Sequence, residues 1–211
     1  MLFNSFEFAI FLPLVFILYW VIGSSHRKAQ NVLLLLSSYF FYGYWDWRFL
    51  SLIIFSSLID YYSGIKIAEN NTTKAKRKWL YFSLFWNLGT LFAFKYFNFF
   101  IESFQEVLHL NETPVFLKII LPVGLSFYTF QTLSYTIDVY KNRIKPTHQL
   151  LEFLCFVSFF PQLVAGPVER ASHLLPQFLH KRQFNYQSAK EGLRQILWGL
   201  FKKMVIADNL A

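Results

Sequence analysis

Residues 121–140 read LPVGLSFYTFQTLSYTIDVY, and this stretch decides the fold class. It is long and apolar enough for a membrane helix, which needs roughly 17–25 mostly apolar residues. Its hydrogen-bonding side chains are too many for a helix surrounded by lipid. Helical spacing puts them in two adjacent rows: Tyr128, Gln131, Tyr135 and Asp138, then Thr129, Thr132 and Thr136. We therefore predict that this helix lies inside a bundle of other helices.

The composition of the whole chain favours lipid as its solvent. Of its 211 residues, 55% are hydrophobic, 21% are aromatic and only 15% are charged. A soluble domain has about 25% charged residues, and a soluble fold of this size has too small an interior to hide so much apolar surface. The net charge of +8 could indicate a nucleic-acid partner. We predict none, because the basic residues lie between apolar blocks instead of on one soluble face.

The apolar blocks predict an all-α, multi-pass transmembrane helical bundle. Six candidate spans, several of them short or interrupted, are Phe8–Ile22, Val32–Tyr44, Phe49–Ile65, Trp79–Phe94, Val115–Ile137 and Leu150–Val168. Lysine and arginine cluster in four segments between them, and the positive-inside bias places those segments in the cytoplasm. This topology predicts an outside N-terminus and an outside polar stretch at Glu102–Thr113.

The sixth candidate span has basic segments on both sides, so both of its ends are predicted on one side of the membrane. A re-entrant segment satisfies this, and Pro161, Gly166 and Pro167 supply the breaks in the helix. The alternative is an ordinary span with one loop misassigned by charge counting. The tail from Tyr186 has apolar residues at three-to-four spacing, which predicts an interfacial amphipathic helix or one packed against the spans.

Five polar residues are our candidates for lining a substrate path or for structural polar contacts: Tyr128, Gln131, Asp138, Gln162 and Glu169. Amide and ionisable groups at membrane depth usually pair with each other or line a water-filled path. The alternative is hydrogen bonding between packed helices. For Glu169 the alternative is an exposed cytoplasmic pair with Arg170, and such a pair contributes little stability.

Several sequence stretches together resemble the membrane-bound O-acyltransferase family, in particular its bacterial branch for alginate O-acetylation. They are LPVGLSFYTFQTLSYTIDVY at 121–140, FVSFFPQLVAGPVER at 156–170, PQF at 176–178 and KKMVIADNLA at 202–211. The resemblance covers nearly the whole chain. It implies that residues 1–211 are the N-terminal part of one membrane domain, a ring of helices around a funnel in the bacterial plasma (inner) membrane.

The resemblance also implies transfer of an acyl group, often acetyl, to hydroxyls of a cell-envelope polysaccharide. The implied partners are the lipid bilayer, the polymer acceptor and other acyl-transfer proteins. The acyl donor is a co-substrate that the sequence does not identify. We expect no bound cofactor, because the chain has no glycine-rich phosphate loop, and no metal site, because it has no Cys/His ligand spacing.

The family's catalytic histidine belongs to a later motif rich in arginine and tryptophan, which these 211 residues do not contain. The histidines present lie in polar segments between spans and suggest no catalytic triad: His26, His109, His148, His173 and His180. We therefore expect no catalytic residue here and no activity from the isolated chain. The alternatives are a transporter or channel and an accessory membrane subunit. A transporter commonly has paired broken helices in two repeats, whereas this sequence has one interrupted segment and no repeat.

Overall fold

The computed structural model describes residues 3–107, 122–163, 166–167 and 169–210. These residues form helices joined by short turns, without a β-strand in the described ranges, and the all-α prediction is confirmed. The helices are α1 (Phe6–Ile22), α2 (Arg27–Asp46), α3 (Leu50–Glu69), α4 (Thr73–Val107), α5 (Leu125–Tyr140), α6 (Leu150–Ser158), α7 (Phe160–Leu163), α8 (Ala171–Leu179), α9 (Tyr186–Phe201) and α10 (Asp208–Leu210). A π-helical stretch, Lys202–Ala207, joins α9 to α10.

Local hydrogen bonds fix where several helices begin and end. The Ser5 hydroxyl accepts from the Phe8 amide at 3.3 Å and caps α1. The Asn185 side chain caps α9 in the same way, accepting from the Ser188 amide at 2.9 Å. Between α2 and α3, Asp46 adopts an extended conformation and its carboxylate accepts from the Arg48 amide at 3.0 Å. These caps satisfy backbone groups that a helix end leaves without partners.

Helices α4 and α5 differ from their predicted bounds. The predicted span Trp79–Phe94 is the centre of a much longer helix, α4, whose 35 residues extend about 52 Å at 1.5 Å per residue. The predicted outside stretch Glu102–Thr113 therefore starts within a helix, because glutamate and glutamine are good helix formers. Its residues 108–113 lie outside the described residues. So do residues 115–121 of the predicted span Val115–Ile137, whose described helix begins only at Leu125.

Helix α5 lies at the centre of the packing. It contacts α3, α4, α6 and α8, and both of its polar rows are buried. Its Tyr135 ring packs against Phe153 of α6 with 4.7 Å between ring centroids. On the other side, Gly64 of α3 lets the Tyr135 ring approach so closely that a Cβ there would lie 2.6 Å from it. The prediction that this helix lies inside a bundle is confirmed for its described residues.

The predicted membrane spans are supported to different degrees. Within the described ranges, one helical stretch is long and apolar enough by composition to cross a membrane: Arg27–Glu69, which comprises α2, the turn and α3. Phe6–Ile22 and Leu150–Leu163 are shorter apolar helices. The multi-pass arrangement therefore stays a prediction.

The segment predicted to be re-entrant is broken, as its prolines and glycine indicate. Helix α6 ends at Ser158, because Phe159 leaves the helical region with φ −57° and ψ 106°. The short helix α7 follows and holds Pro161, and α8 then packs against α6. At about 1.5 Å per residue, the nine residues of α6 extend only about 14 Å. This helix is too short to cross a hydrocarbon core of about 30 Å.

The tail from Tyr186 forms helix α9, so the helical part of that prediction is confirmed. None of its residues is buried. Its large apolar residues form an exposed face: Leu193, Ile196, Leu197, Trp198 and Phe201.

Candidate functional site

The threonine row of α5 joins a buried polar cluster between α3 and α4. The Asp60 carboxylate on α3 is at its centre and is fully buried. Asn87 Nδ2 on α4 donates to both carboxylate oxygens, at 3.0 and 2.8 Å, and Ser83 also donates to Asp60. Thr136 Oγ1 on α5 donates to the same carboxylate at 3.3 Å. The cluster therefore connects three helices through one side chain.

These hydrogen bonds have to replace the water that a carboxylate normally holds. Within the described residues, Asp60 has no lysine, arginine or histidine at ion-pair distance. The Asn87 amide completes the network, because its Oδ1 accepts from Ser56 Oγ at 2.6 Å and from Thr132 Oγ1 at 3.4 Å. A buried polar network of this kind stabilises a fold only when its members are satisfied. We interpret the cluster as the contact that fixes α3, α4 and α5 relative to one another.

The other polar row of α5 faces the broken segment. Gln131 Nε2 donates to the Phe156 carbonyl of α6 at 2.7 Å. One turn further, the Tyr135 hydroxyl accepts from the Thr147 amide at 3.2 Å, just before α6 begins. These two contacts hold α6, and the residues just before it, against α5.

Tyr128 and Gln162 differ from the other candidates, because each has a buried polar atom without a hydrogen-bond partner in the described part of the chain. The Tyr42 hydroxyl on α2 is in the same condition. Leaving such a group unsatisfied costs about 1–3 kcal/mol, so orphaned polar atoms in a native structure require a reason. A substrate that supplies the missing partner is one such reason.

A close backbone contact brings the start of α5 to the end of α7. Gly124 precedes α5 with φ +78°, a left-handed conformation that favours glycine. A Cβ at this position would lie 2.3 Å from the Leu163 carbonyl oxygen. Glycine is therefore required for two reasons: the positive φ and the close approach to the Leu163 carbonyl oxygen. This contact places the first turns of α5, with Tyr128, beside the segment that holds Gln162.

Asp138 and Glu169 make local ion pairs instead of joining this region. Asp138 Oδ1 lies 3.4 Å from Arg143 Nη1, just beyond the end of α5. Glu169 Oε2 lies 3.0 Å from His173 Nδ1, one helical turn away on α8. Both contacts have one largely exposed partner, and such pairs contribute little stability. The structure therefore separates these two candidates from Tyr128, Gln131 and Gln162.

The sequence reasoning missed several polar residues that the structure places at central contacts: Arg27, Asn31, Asp60, Asn87 and Glu152. Three of them were detectable. Asp60, Asn87 and Glu152 lie inside predicted spans, where an ionisable or amide group is expensive and usually functional or paired. Arg27 and Asn31 lie just outside the predicted spans. Nothing in their spacing indicates that they meet Glu152.

Comparison with known proteins gives a consistent set of relatives. The chain is 40% identical, over 99% of its length, to a protein of Pseudomonas aeruginosa named probable alginate O-acetylase. It is 38% identical to the protein of the same name in Azotobacter vinelandii and 36% identical to the peptidoglycan O-acetyltransferase of Helicobacter pylori. The chain is a relative of these O-acetylating proteins. The resemblance to alginate O-acetylation proteins, inferred from short sequence motifs, is thereby confirmed.

The chain covers only part of the proteins it matches. It spans 40% of the P. aeruginosa protein and 45% of the H. pylori protein. No family model matches the chain, and no solved structure matches it.

The histidines in the described residues make separate contacts. The His173 side chain is 70% exposed and contacts Glu169. The His148 backbone carbonyl accepts a hydrogen bond from the Tyr61 hydroxyl at 2.8 Å. His109 lies outside the described residues. No three side chains of metal-binding type come together in the ranges that the structure covers.

Proposed function

We propose that this chain is the N-terminal part of a membrane-bound O-acyltransferase that transfers acetyl groups to hydroxyls of a cell-envelope polysaccharide. The observation that carries the proposal is 40% identity to an alginate O-acetylase over 99% of the chain. A peptidoglycan O-acetyltransferase at 36% identity supports the same reaction on another envelope polymer. The acceptor class is therefore a hydroxyl-bearing polymer outside the cytoplasm.

The reaction requires a base and a positioned carbonyl. The acceptor oxygen attacks the acetyl carbonyl of an activated donor, a new ester C–O bond forms, and the donor's bond to the acetyl group breaks. The hydroxyl proton passes to the base and then to the leaving group. Histidine suits this role near neutral pH, and we place it in the part of the enzyme beyond residue 211.

The described residues supply one wall of the substrate path in this proposal. The Tyr128 hydroxyl and Gln162 Oε1 are buried without a hydrogen-bond partner among the described residues, and they lie on elements that meet at Gly124. They are the groups we assign to substrate contact. Gln131 holds α6 in place. Asp138 and Glu169 make local contacts elsewhere and are not assigned to the path.

We also propose that the enzyme crosses the bacterial inner membrane several times, with its N-terminus outside. Large apolar side chains exposed on α1 and α4 support this, because soluble proteins rarely expose such continuous apolar surface. They include Phe6, Ile10, Leu14, Ile17 and Val21 on α1, and Phe85, Phe92 and Phe99 on α4. The broken segment is then re-entrant, and α9 lies at the membrane interface. Other acyl-transfer proteins are partners in this scheme.

The test is an acetyl-transfer assay with the full-length enzyme in membrane vesicles. Labelled acetyl donor is supplied, and incorporation into alginate or peptidoglycan is measured as base-labile ester. Vesicles without the enzyme are the control. Incorporation above that control supports the proposal. A folded, full-length protein that modifies neither polymer in vesicles that also contain its partner acyl-transfer proteins would contradict it.

Replacing Gln131 with leucine in the full-length enzyme should lower acetyl transfer more than it lowers the amount of protein in the membrane. The change removes the donor to the Phe156 carbonyl, so α6 loses a contact that aligns the broken segment with α5. We expect a loss of about 1 kcal/mol in stability, typical of one hydrogen bond. Ser134→Ala is the control, because Ser134 bonds only within its own helix, to the Gln131 carbonyl at 2.8 Å. Equal losses of transfer and protein amount would mean that Gln131 acts in packing alone.

A further inference from the structure

One arginine meets both ends of the broken segment. Arg27 begins α2, and its Nη2 donates to Gln149 Oε1 at 3.2 Å, where α6 starts. Its Nη1 donates to the carbonyl of Leu179, the last residue of α8. The two ends of the segment, Gln149 and Leu179, therefore lie close together beside the Arg27 guanidinium. A guanidinium is suited to this contact, because its planar fork carries several donors in fixed directions.

Asn31 repeats this arrangement one helical turn further along α2. It is fully buried, and its Nδ2 donates to the Phe178 carbonyl of α8 at 3.0 Å and to Glu152 Oε1 of α6 at 3.3 Å. Its Oδ1 accepts from Arg182 Nη2 at 2.5 Å. One amide thus bonds to α6, to α8 and to the segment that follows α8.

The same cluster contains one carboxylate and two arginines. Glu152 is only 3% exposed, and its Oε1 lies 3.5 Å from Arg27 Nη2. Arg182 is held in turn by the Tyr19 hydroxyl of α1 at 2.7 Å, and its guanidinium lies over the Tyr19 and Phe178 rings. A buried carboxylate that lost its arginine would keep an uncompensated charge. Arg27 is therefore the cation on α2 that compensates the Glu152 carboxylate of α6.

We propose that Arg27 and Asn31 are positioning residues that clamp the two ends of the segment from Gln149 to Leu179 at one level of the membrane. The clamp sets the depth of the break after Ser158. Helix α6 extends about 14 Å, so a segment anchored at one edge carries its break to about the middle of a 30 Å core. Gln162 lies on α7, directly after this break, so the clamp sets the position of Gln162 for acetyl transfer. This last step rests on the proposed function, whereas the clamp itself does not.

The experiment measures hydrogen–deuterium exchange and acetyl transfer with the full-length enzyme and three variants. Arg27→Ala should speed amide exchange in residues 150–163 by about ten-fold to a hundred-fold, the effect of losing a hydrogen bond to a charged group. Arg27→Lys keeps the charge beside Glu152 but loses the fork, so its increase should be smaller. Lys28→Ala is the control, because Lys28 is the exposed neighbouring cation. Its exchange should match that of the unaltered enzyme.

Transfer is measured per folded molecule. Arg27→Ala should lower kcat more than it changes KM for the acceptor, and Arg27→Lys should recover part of kcat. Unchanged exchange in residues 150–163 of Arg27→Ala would overturn the clamp. A uniform increase that includes α3 and α5 would also overturn it, since that is global destabilisation. If the unaltered enzyme transfers no acetyl group, the proposed function fails while the exchange data still decide the clamp.

Discussion

Asp60→Leu should nearly abolish accumulation of the full-length protein in the membrane. Leucine removes the acceptor of the Ser83, Asn87 and Thr136 donors, which are buried between three helices. Thr136 keeps the Thr132 carbonyl as an acceptor, whereas the Ser83 hydroxyl and one Asn87 N–H are orphaned. Orphaned buried donors cost about 1–3 kcal/mol each, so we expect a total loss of about 2–6 kcal/mol. That is a large fraction of the 5–15 kcal/mol stability of a typical protein. The measurement is the amount of monodisperse protein after extraction, together with its thermal unfolding.

Asp60→Asn separates the effect of charge from the effect of hydrogen bonding. The asparagine oxygen can still accept from Ser83 and Thr136, but the new amide nitrogen replaces an oxygen that accepts from Asn87 Nδ2. This variant should therefore accumulate to a level between those of Asp60→Leu and the unaltered protein. Ser51→Ala is the control at an exposed position of the same helix, where the serine hydroxyl bonds only to the Arg48 carbonyl at 2.8 Å. If Asp60→Leu accumulates and unfolds like the unaltered protein, the cluster does not hold α3, α4 and α5 together.

Tyr128→Phe should lower acetyl transfer by about ten-fold or more while leaving stability within about 0.5 kcal/mol of the unaltered enzyme. The hydroxyl has no hydrogen-bond partner in the described residues, so removing it breaks no hydrogen bond among them. If the hydroxyl bonds to substrate, the loss appears only during catalysis, in kcat/KM. The measurement pairs thermal unfolding with initial rates of transfer.

Tyr135→Phe is the matched control on the same helix. Its hydroxyl accepts from the Thr147 amide at 3.2 Å, so the phenylalanine variant orphans a buried backbone donor. This variant should lose about 1–3 kcal/mol of stability. A Tyr128→Phe enzyme with full activity, or one destabilised as much as Tyr135→Phe, would contradict the assignment of Tyr128 to substrate contact.

The sequence predicted the elements of this fold better than their contacts. The polar rows of residues 121–140 predicted a buried helix, because hydrogen-bonding groups at that density need protein neighbours. Pro161 and Gly166 predicted a broken helix, because proline and glycine interrupt backbone hydrogen bonding. Bounds were less well predicted at α4, where helix-forming polar residues carry the helix past the apolar block. Hydropathy detects apolar runs, and a helix can extend beyond one.

The candidate site was predicted only in part. Tyr128 and Gln162 lie on elements that meet at Gly124, whereas Asp138 and Glu169 make local pairs elsewhere. Helical spacing identifies which side chains share a face of one helix, but it says nothing about which second helix that face meets. The close approach at Gly124 depends on a left-handed φ and on a carbonyl that is remote in sequence.

By itself, the sequence determined the helical class, the buried character of α5, the break after α6 and the resemblance to O-acetylating proteins. Each of these depends on residues near one another in the chain or on short sequence motifs. The tertiary structure alone decided that Asp60 connects three helices and that Arg27 meets both Gln149 and Leu179. The physical reason is that a buried polar side chain is stable only beside specific partners. Those partners come from distant parts of the chain, and only folding brings them within hydrogen-bond distance.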